Sequence, residues 1–277
     1  MISVIIPTYN RAHLISRVLD NLLAQTCPDW QCVVVDDYST DNAAWVIQQY
    51  IARDSRFVYL LNNRSKGAQG ARNTGVLAAQ SEWICFFDSD DVMLPNYIER
   101  MQMEIEMGGA DVVACYANAR NIQSGDIEWV LNKINVHNLH QELLTEQSYV
   151  GYDVCVIRKQ KIVEIGLLDE SCPSMQEWDT HIRLSRIAVY QLVPEVLCEW
   201  LIGGEDAITT DNQKYLSGIL YIYHKYRLAF RRYAYRHYLN ALYQLWQEYP
   251  NHRQLLRLAP ELLIYKPVKK LLKHDKS

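Results

Sequence analysis

Apolar and polar positions follow two rhythms over the first 115 residues. Short apolar or β-branched runs occur at Ser3–Ile6, Gln31–Val35, Phe57–Leu61, Trp83–Phe87 and Asp111–Tyr116, and each reads as a buried strand. Between them lie stretches with helical spacing. Ala12–Ala24 places Leu14, Ile15, Val18, Leu19, Leu22 and Leu23 on one side, and Thr40–Ala52, Gly70–Ala79 and Leu94–Met107 follow. Strands separated by helices of about ten residues predict βαβ units, hence an α/β fold with a mainly parallel central sheet flanked by helices.

From about residue 120 the rhythm changes. Ile127–Leu131 and Tyr149–Ile157 read as edge strands, Lys159–Ile165 as a short helix ended by Gly166, Asp179–Ile187 as a helix and Gln191–Glu199 as a strand. Beyond about residue 210 the pattern is helical and rich in Tyr and Arg, and its tyrosines are expected to pack helices together. The last stretch, LLIYKPVKKLLKHDKS, combines Leu262, Leu263, Val268, Leu271 and Leu272 with Lys266, Lys269, Lys270, Lys273 and Lys276. That pattern suits an amphipathic segment lying on a surface; the alternative is a solvated tail.

A chain of 277 residues suits one large domain, or a domain with an appendage. The net charge of -4 gives no sign of a nucleic-acid partner. The seven cysteines are scattered without a CxxC pair, so they read as reduced core residues of a cytosolic protein rather than as a zinc site. The opening MISVIIPTYNRAH has neither the basic region nor the length of a signal peptide, and no window of 18 apolar residues predicts a membrane span.

Candidate chemistry gathers where strands are expected to end. In WICFFDSDDVMLP, Asp88, Asp90 and Asp91 directly follow an apolar strand. Like charges that close repel, and carboxylate oxygens suit Mg²⁺ or Mn²⁺; the alternative is a polar loop with turn and cap residues. In parallel sheets ligands bind outside the carboxyl ends of the strands. Asp36 and Asp37 end the second strand, and Pro7, Thr8 and Tyr9 end the first. In NNRSKGAQGARNTGVLAAQ, Gly67, Gly70 and Gly75 permit tight turns, and Arg72 near a helix start has the fork of donors that binds phosphate. The segment is neither a dinucleotide fingerprint nor a Walker loop. Acids able to accept from a base or ribose, beside acids able to hold a metal, fit a nucleoside diphosphate joined to a transferable group.

The set SVIIPTYNR, VVVDDYSTDN, GAQGARNTG, FFDSDD and QEWDTHIRL resembles a family 2 glycosyltransferase of the GT-A fold, over roughly residues 1–205. The resemblance implies a Rossmann-like, mainly parallel sheet. It implies a domain over 1–208, with a nucleotide-binding half (1–116) and an acceptor-binding half (117–208), followed by a helical C-terminal extension with a basic tail (209–277). It implies transfer of a sugar from a nucleotide-sugar, commonly a UDP-sugar, to an acceptor hydroxyl with inversion. The acceptor would be a glycan or glycolipid in surface polysaccharide or lipopolysaccharide synthesis.

Carried over residue by residue, Pro7, Thr8 and Tyr9 line the nucleotide pocket with Arg11 at its edge. Asp36 accepts from the uracil ring, with Asp37 behind it in a structural role. Gly67 allows close approach, and Arg72 binds near base or phosphate. Asp88 meets the ribose or a metal-bound water, Asp90 is the principal metal ligand, and Asp91 aids metal or donor sugar or caps the next turn. The general base falls on Glu177, where the family usually has Asp, with Asp179 in reserve or orienting the helix. Trp178 either stacks on a sugar or packs in the core, and Arg183 pairs with a nearby acid.

CEWLIGGEDAITT offers no histidine as a further metal ligand, which predicts a weakly held Mn²⁺ or Mg²⁺; Glu205 and Asp206 are candidates from a Gly-led loop. A nucleotidyltransferase is disfavoured because PTYNRAH has no glycine, while a non-catalytic nucleotide- or sugar-binding module remains the third reading. A lipid-linked acceptor would place the protein in the cytoplasm, with the C-terminal lysines in peripheral contact with anionic membrane at its cytosolic face. Donor sugar, acceptor, linkage and oligomeric state are not fixed by these residues.

Overall fold

A computed structural model describes residues 1–131, 134–203 and 212–249. The first half runs β1 (Ile2–Thr8), α1 (Ile15–Leu23), β2 (Trp30–Asp36), α2 (Ala43–Ile51), β3 (Phe57–Leu61), α3 (Ala68–Ala78), β4 (Trp83–Phe86), β5 (Val92–Met93) and α4 (Tyr97–Met107). The second half runs β6 (Val112–Asn121), β7 (Ile127–Leu131), α5 (Leu139–Leu144), β8 (Cys155–Arg158), α6 (Lys159–Glu164), α7 (Gln176–Leu184) and β9 (Tyr190–Ile202). Three further helices follow: α8 (Asn212–Lys225), α9 (Arg227–Tyr233) and α10 (Tyr235–Glu248).

β1 and β2 are buried along nearly their whole length, as continuous Val/Ile runs require when helices cover both faces of a sheet. β1 pairs in parallel with β2 and β4, and β2 in parallel with β3. The sheet is nonetheless mixed, which corrects the expectation of a mainly parallel one. Its order is β3-β2-β1-β4-β8-β6-β9-β5. β8 runs antiparallel between β4 and β6, β5 runs antiparallel to β9, and β7 antiparallel to β6. An apolar run such as Cys155–Arg158 reports burial but not direction, so the reversal was not legible from periodicity.

Several boundaries also move. Of the expected strand 149–157 only Cys155–Ile157 lies in a strand, as part of β8, which extends to Arg158. The helix expected at 179–187 is Gln176–Leu184, which puts Gln176 and Glu177 in its first turn. α5 and the two-residue β5 were not anticipated.

The C-terminal helices share the core of the sheet. Trp178 of α7 meets Tyr223 and Phe230 at ring separations of 5.9 and 6.0 Å, and Phe230 stacks on Tyr238. The tyrosines of this region thus pack helices, as expected. All seven cysteines are unpaired, and all but Cys27 are buried. Among the described residues no helix is long and apolar enough to cross a membrane. The lysine-rich tail, and Glu205 with Asp206, lie outside the described residues.

A candidate active site at the carboxyl ends of the strands

β4 delivers its chain to the rim at Phe86, and the turn that follows presents Asp88, Asp90 and Asp91 before β5 locks onto β9 through Val92–Glu199 and Met93–Cys198. One oxygen from each of the three half-buried carboxylates lies within 4.8 Å of the others. Their crowding is visible in their proton affinities. Burial, then the charge of Asp88, raises Asp90 above the usual carboxylate range, against the pull of Arg11 and Arg17. Burial, then the charges of Asp153, Asp88 and Asp90, pushes Asp91 well up. Three hard oxygen donors this close, with their repulsion only partly offset by nearby arginines, fit a divalent cation of the Mg²⁺ or Mn²⁺ type.

A fourth acid in this group escaped the sequence reading. Asp153, just before β8, is 7% exposed, and burial followed by the charge of Asp88 pushes it up to about 7. Its Oδ2 accepts the Trp200 indole N–H. Asp153 was hidden inside a stretch read as strand; the available signal was a lone carboxylate in an otherwise apolar run, VGYDVCVI.

α3 supplies the cation that orders the rim. It is buried on nearly every side despite carrying Gln69, Arg72, Asn73 and Thr74. Arg72 donates from Nη2 to Asp88 Oδ1 at 2.6 Å, and from Nη1 to Gln69 Oε1 at 3.0 Å and Gln176 Oε1 at 3.3 Å. Its guanidinium lies 4.7 Å from the centre of the Tyr152 ring, a favourable cation–π distance. The Tyr152 hydroxyl takes a bond from Gln69 Nε2 and meets Thr180 Oγ1 at 2.8 Å, so α3 and the start of α7 are held in one network.

Glu177 stands beside that network, half-buried. Burial raises its proton affinity, and the charge of Arg72 partly counters the rise. The residue before α7's first turn, Met175, has φ of 57°, a costly conformation for a residue with a side chain. Asn10 after β1 and Tyr38 after β2 are also left-handed, so three such residues border this rim.

Asp179, two residues on, has a different environment. It is fully buried; Oδ2 accepts from Arg183 Nε and Nη2, and Oδ1 from Lys225 Nζ and the Tyr226 hydroxyl. Those bonds tie α7 to α8 and to the α8–α9 junction. Trp178 is 8% exposed and donates its indole N–H to Leu143 O. His181 is wholly buried against the Tyr190 hydroxyl, and burial pushes its imidazole down to about 3.

On the other side of the rim, Asp36 is buried and accepts from Ser39 N–H and the Tyr59 hydroxyl. Each of its oxygens keeps a second lone pair. Asp37 accepts from Asn62 Nδ2 at 2.6 Å and from the Gly67 N–H at 2.8 Å, which pins the turn into α3. Gly67 there has φ of 117°, a value that side chains oppose. Pro7 is half-buried, Tyr9 is exposed beside Lys66, and Arg11 lies near enough to Asp90 to influence its charge. Thr8 Oγ1 and Arg72 Nε are buried with no hydrogen-bond partner.

A groove of about 740 Å³ lined by His137, His140, Ser185, Tyr190 and Tyr233 lies at the other end of α7. It contains none of the carboxylates discussed.

A family model described as glycosyl transferase family 2 matches residues 3–166. An Escherichia coli UDP-Glc:alpha-D-GlcNAc-diphosphoundecaprenol beta-1,3-glucosyltransferase, WfgD, is 39% identical over 107 residues, which cover 39% of this chain and 40% of that protein. The chain thus spans about two fifths of the length of that relative and of Streptococcus pneumoniae GlyG. A putative colanic acid biosynthesis glycosyl transferase of Escherichia coli K12, WcaA, is 26% identical over 275 residues, 93% of this chain and 92% of that one. Among solved structures, Staphylococcus aureus TarS 1–349 superposes with a TM-score of 0.62 at 16% identity, covering 94% of this chain and 81% of that one. The Pyrobaculum calidifontis mannosyltransferase PcManGT, in complex with GDP-Man and Mn²⁺, gives 0.61 at 16% identity, with 98% and 82% covered. The structural likenesses are likenesses of fold.

Proposed function

The chain belongs to glycosyl transferase family 2, and on that premise we propose that it is an inverting glycosyltransferase. It takes a sugar from a nucleotide-sugar, a UDP-sugar by preference, to an acceptor hydroxyl in the assembly of a surface polysaccharide or lipopolysaccharide. The names of WfgD and WcaA support the surface-glycan setting. The observation that carries the reading is the single buried guanidinium of Arg72, which joins Asp88 of the acid cluster to Gln176, the neighbour of Glu177. Metal-holding acids and a proton-accepting acid are thereby fixed relative to one another.

In this reading Asp90 is the principal metal ligand, with Asp88 and Asp91 beside it, and a bound Mn²⁺ or Mg²⁺ would offset the negative charge of the departing diphosphate. Pro7, Thr8 and Tyr9 line the nucleotide pocket, Asp36 accepts from the base with its remaining lone pairs, and Arg11 borders the pocket. Arg72 acts through Asp88 and Gln176, because its guanidinium is already engaged by protein. Glu177 removes the acceptor proton as the acceptor oxygen attacks the anomeric carbon from the face opposite the diphosphate. Its raised proton affinity suits that role, since a base works best with a pKa nearer the working pH. Asp179, saturated by Arg183, Lys225 and Tyr226, orients α7.

Residues 1–116 form the nucleotide-binding half and 117–208 the acceptor-binding half, with the helices beyond as an extension that shares the core. The C-terminal lysines give the protein a peripheral contact with the anionic cytosolic face of a membrane. The test is a panel of nucleotide-sugars with Mn²⁺ or Mg²⁺, scored for saturable binding and for release of nucleoside diphosphate. Metal-dependent turnover of one donor is expected. Release of pyrophosphate instead would favour a nucleotidyltransferase, and binding without turnover, with any acceptor supplied, a non-catalytic module.

A further inference from the structure

Three strands carry a row of residues whose sizes are matched. Trp129 of β7 stands opposite Ala119 of β6, and across the other edge of β6 Ala119 stands opposite Trp200 of β9. Only a methyl group separates the two indoles, and they meet over it at 5.4 Å between ring centres and 65° between planes. Tyr149 closes on the other side of Trp200 at 5.9 Å and 84°. Edge-to-face contacts of this kind are favourable and hold rings in fixed orientations.

The rings are ordered, yet they are not covered. Trp129 and Tyr149 are 46% and 41% exposed. Exposed aromatic groups held together in this way mark a binding surface more often than scattered apolar residues do. Trp200 is fixed further by its N–H bond to Asp153. The chain beneath it is stripped down to allow the approach: a Cβ on Gly151 would stand 3.0 Å from Trp200 Cζ2 and 3.0 Å from Asp153 Oδ1.

The row also starts where the acid cluster ends. The N–H of Leu201, next to Trp200, donates to Asp91 Oδ1 at 3.2 Å. Tyr152, three residues after Tyr149, donates its hydroxyl to Gln176 O, next to Glu177, so the segment that carries Tyr149 borders the first turn of α7. Ile127 and Val130 of β7 are exposed as well, but the inner edge of the row is bounded by the carboxylates of Asp153 and Asp91, which favour a ligand that carries hydroxyls over a lipid chain. A pyranose ring has one flat C–H face and a rim of hydroxyls, which matches a small aromatic floor beside carboxylate acceptors.

We propose that Trp129, Trp200 and Tyr149 form a subsite for a pyranose ring of the acceptor glycan, stacked so that the hydroxyl to be glycosylated is directed toward Glu177. The assignment rests on the transferase reading above, for which it names the acceptor class as a sugar rather than a non-sugar alcohol. Asp153 is a positioning residue in it, acting through the Trp200 indole.

Saturation-transfer NMR on the full chain, with Mn²⁺ and saturating UDP, tests the proposal with three probes: methyl β-D-glucopyranoside, methyl α-D-mannopyranoside and the methyl glycoside of β-N-acetylglucosamine. Ring C–H protons of at least one probe should take up saturation. Trp129→Ala and Tyr149→Ala should lower that signal by about tenfold, while Trp129→Phe, which keeps a flat ring, should retain about half of it. Calorimetric titration of UDP into the same variants should match wild type, which shows that they are folded. If UDP fails to bind wild type, the transferase reading fails on that measurement, whereas glycoside binding is read separately. The subsite is overturned if no glycoside is saturated, or if the signal survives Trp129→Ala. It is also overturned if UDP-glucose removes a signal that UDP leaves, since the rings would then hold the donor sugar. A concentration-dependent dimer abolished by Trp129→Ala would overturn it in favour of a second copy pairing along β7.

Discussion

The Arg72 guanidinium is almost wholly enclosed, and it meets the half-exposed Asp88 carboxylate at 2.6 Å. A cation removed from water needs such a partner, and the partner in turn is held in one place. Arg72→Lys keeps the charge but loses the planar fork that reaches Gln69, Gln176 and Asp88 together. Turnover should fall by about a hundredfold, the scale of an ångström-sized misplacement of reacting groups. UDP affinity should change far less. Steady-state kinetics beside calorimetry would show the split, and a parallel loss in both would mean that Arg72 contacts the nucleotide directly.

Asp90→Asn should weaken Mn²⁺-supported UDP binding more than Asp91→Asn. Asp91 has a second task, accepting the Leu201 N–H, which the Asn side-chain oxygen can still perform. The measurement is titration of UDP with and without Mn²⁺. Equal affinity of wild type and Asp90→Asn at saturating metal would refute the assignment of Asp90.

Two carboxylates on one helical turn should separate cleanly. Glu177→Gln should cost about 10²–10⁴ in turnover with unchanged thermal stability and UDP binding. Asp179→Ala leaves Arg183 and Lys225 without their shared partner, and breaking a buried pair costs about 3–5 kcal/mol. Thermal unfolding of the two variants, beside their rates, decides between the roles. Loss of rate at full stability in Asp179→Asn would transfer the base to Asp179.

The crowded acids also predict a pH dependence of stability. Asp153, raised from 3.8 to about 7, keeps in the folded chain a proton that the unfolded chain releases. Its contribution is therefore fully favourable below about pH 4 and is lost as pH rises toward about 7. Asp90 and Asp91 are shifted in the same direction. Metal-free protein should lose stability across that window, Asp153→Asn should flatten the loss, and Mn²⁺ should restore stability at its upper end by binding the ionised cluster. Chemical denaturation at several pH values reads all three effects.

Much of this site was legible because its residues sit at element ends, where polar side chains following an apolar run have few alternatives. The acids at the ends of β2 and β4 and Gly67 before α3 were visible in that way, whereas Gly70 and Gly75, read as turn formers, lie inside α3. Asp153 was not, because its neighbours are apolar and its meaning comes from Trp200, far away in sequence. The motif gives Glu177 and Asp179 separate readings, Asp179 in reserve or orienting the helix, but their surroundings were not visible: both lie in the first turn of α7, and Lys225 and Tyr226, which with Arg183 engage Asp179, come from helices with no motif. The mainly parallel sheet was expected wrongly for a related reason. The direction of β8 depends on which edge it meets, and Val156 pairs with Cys85 on one side and Val113 on the other through contacts that no local pattern encodes.

Among the described residues the two-residue strand β5, directly after the acids, pairs with β9 alone in the sheet order, and Leu94 N–H adds a bond to Leu197 O. The turn carrying Asp88, Asp90 and Asp91 is thus held from two sides: by α1 and Gln25 just beyond it, through Arg17 to Asp90 O, Asn21 to Met93 N–H and Gln25 to Leu94 O, and by a segment made roughly a hundred residues later, a separation that slows folding. On the ribosome, the acid-bearing loop emerges well before the strand that fastens it. A nascent chain ending near residue 189 should therefore leave 88–95, held from the α1 side alone, more open to protease than the longer chain, and extension past residue 202 should protect it fully. Full protection already present in the shorter chain would place the closing of this loop earlier in synthesis, before β9 exists.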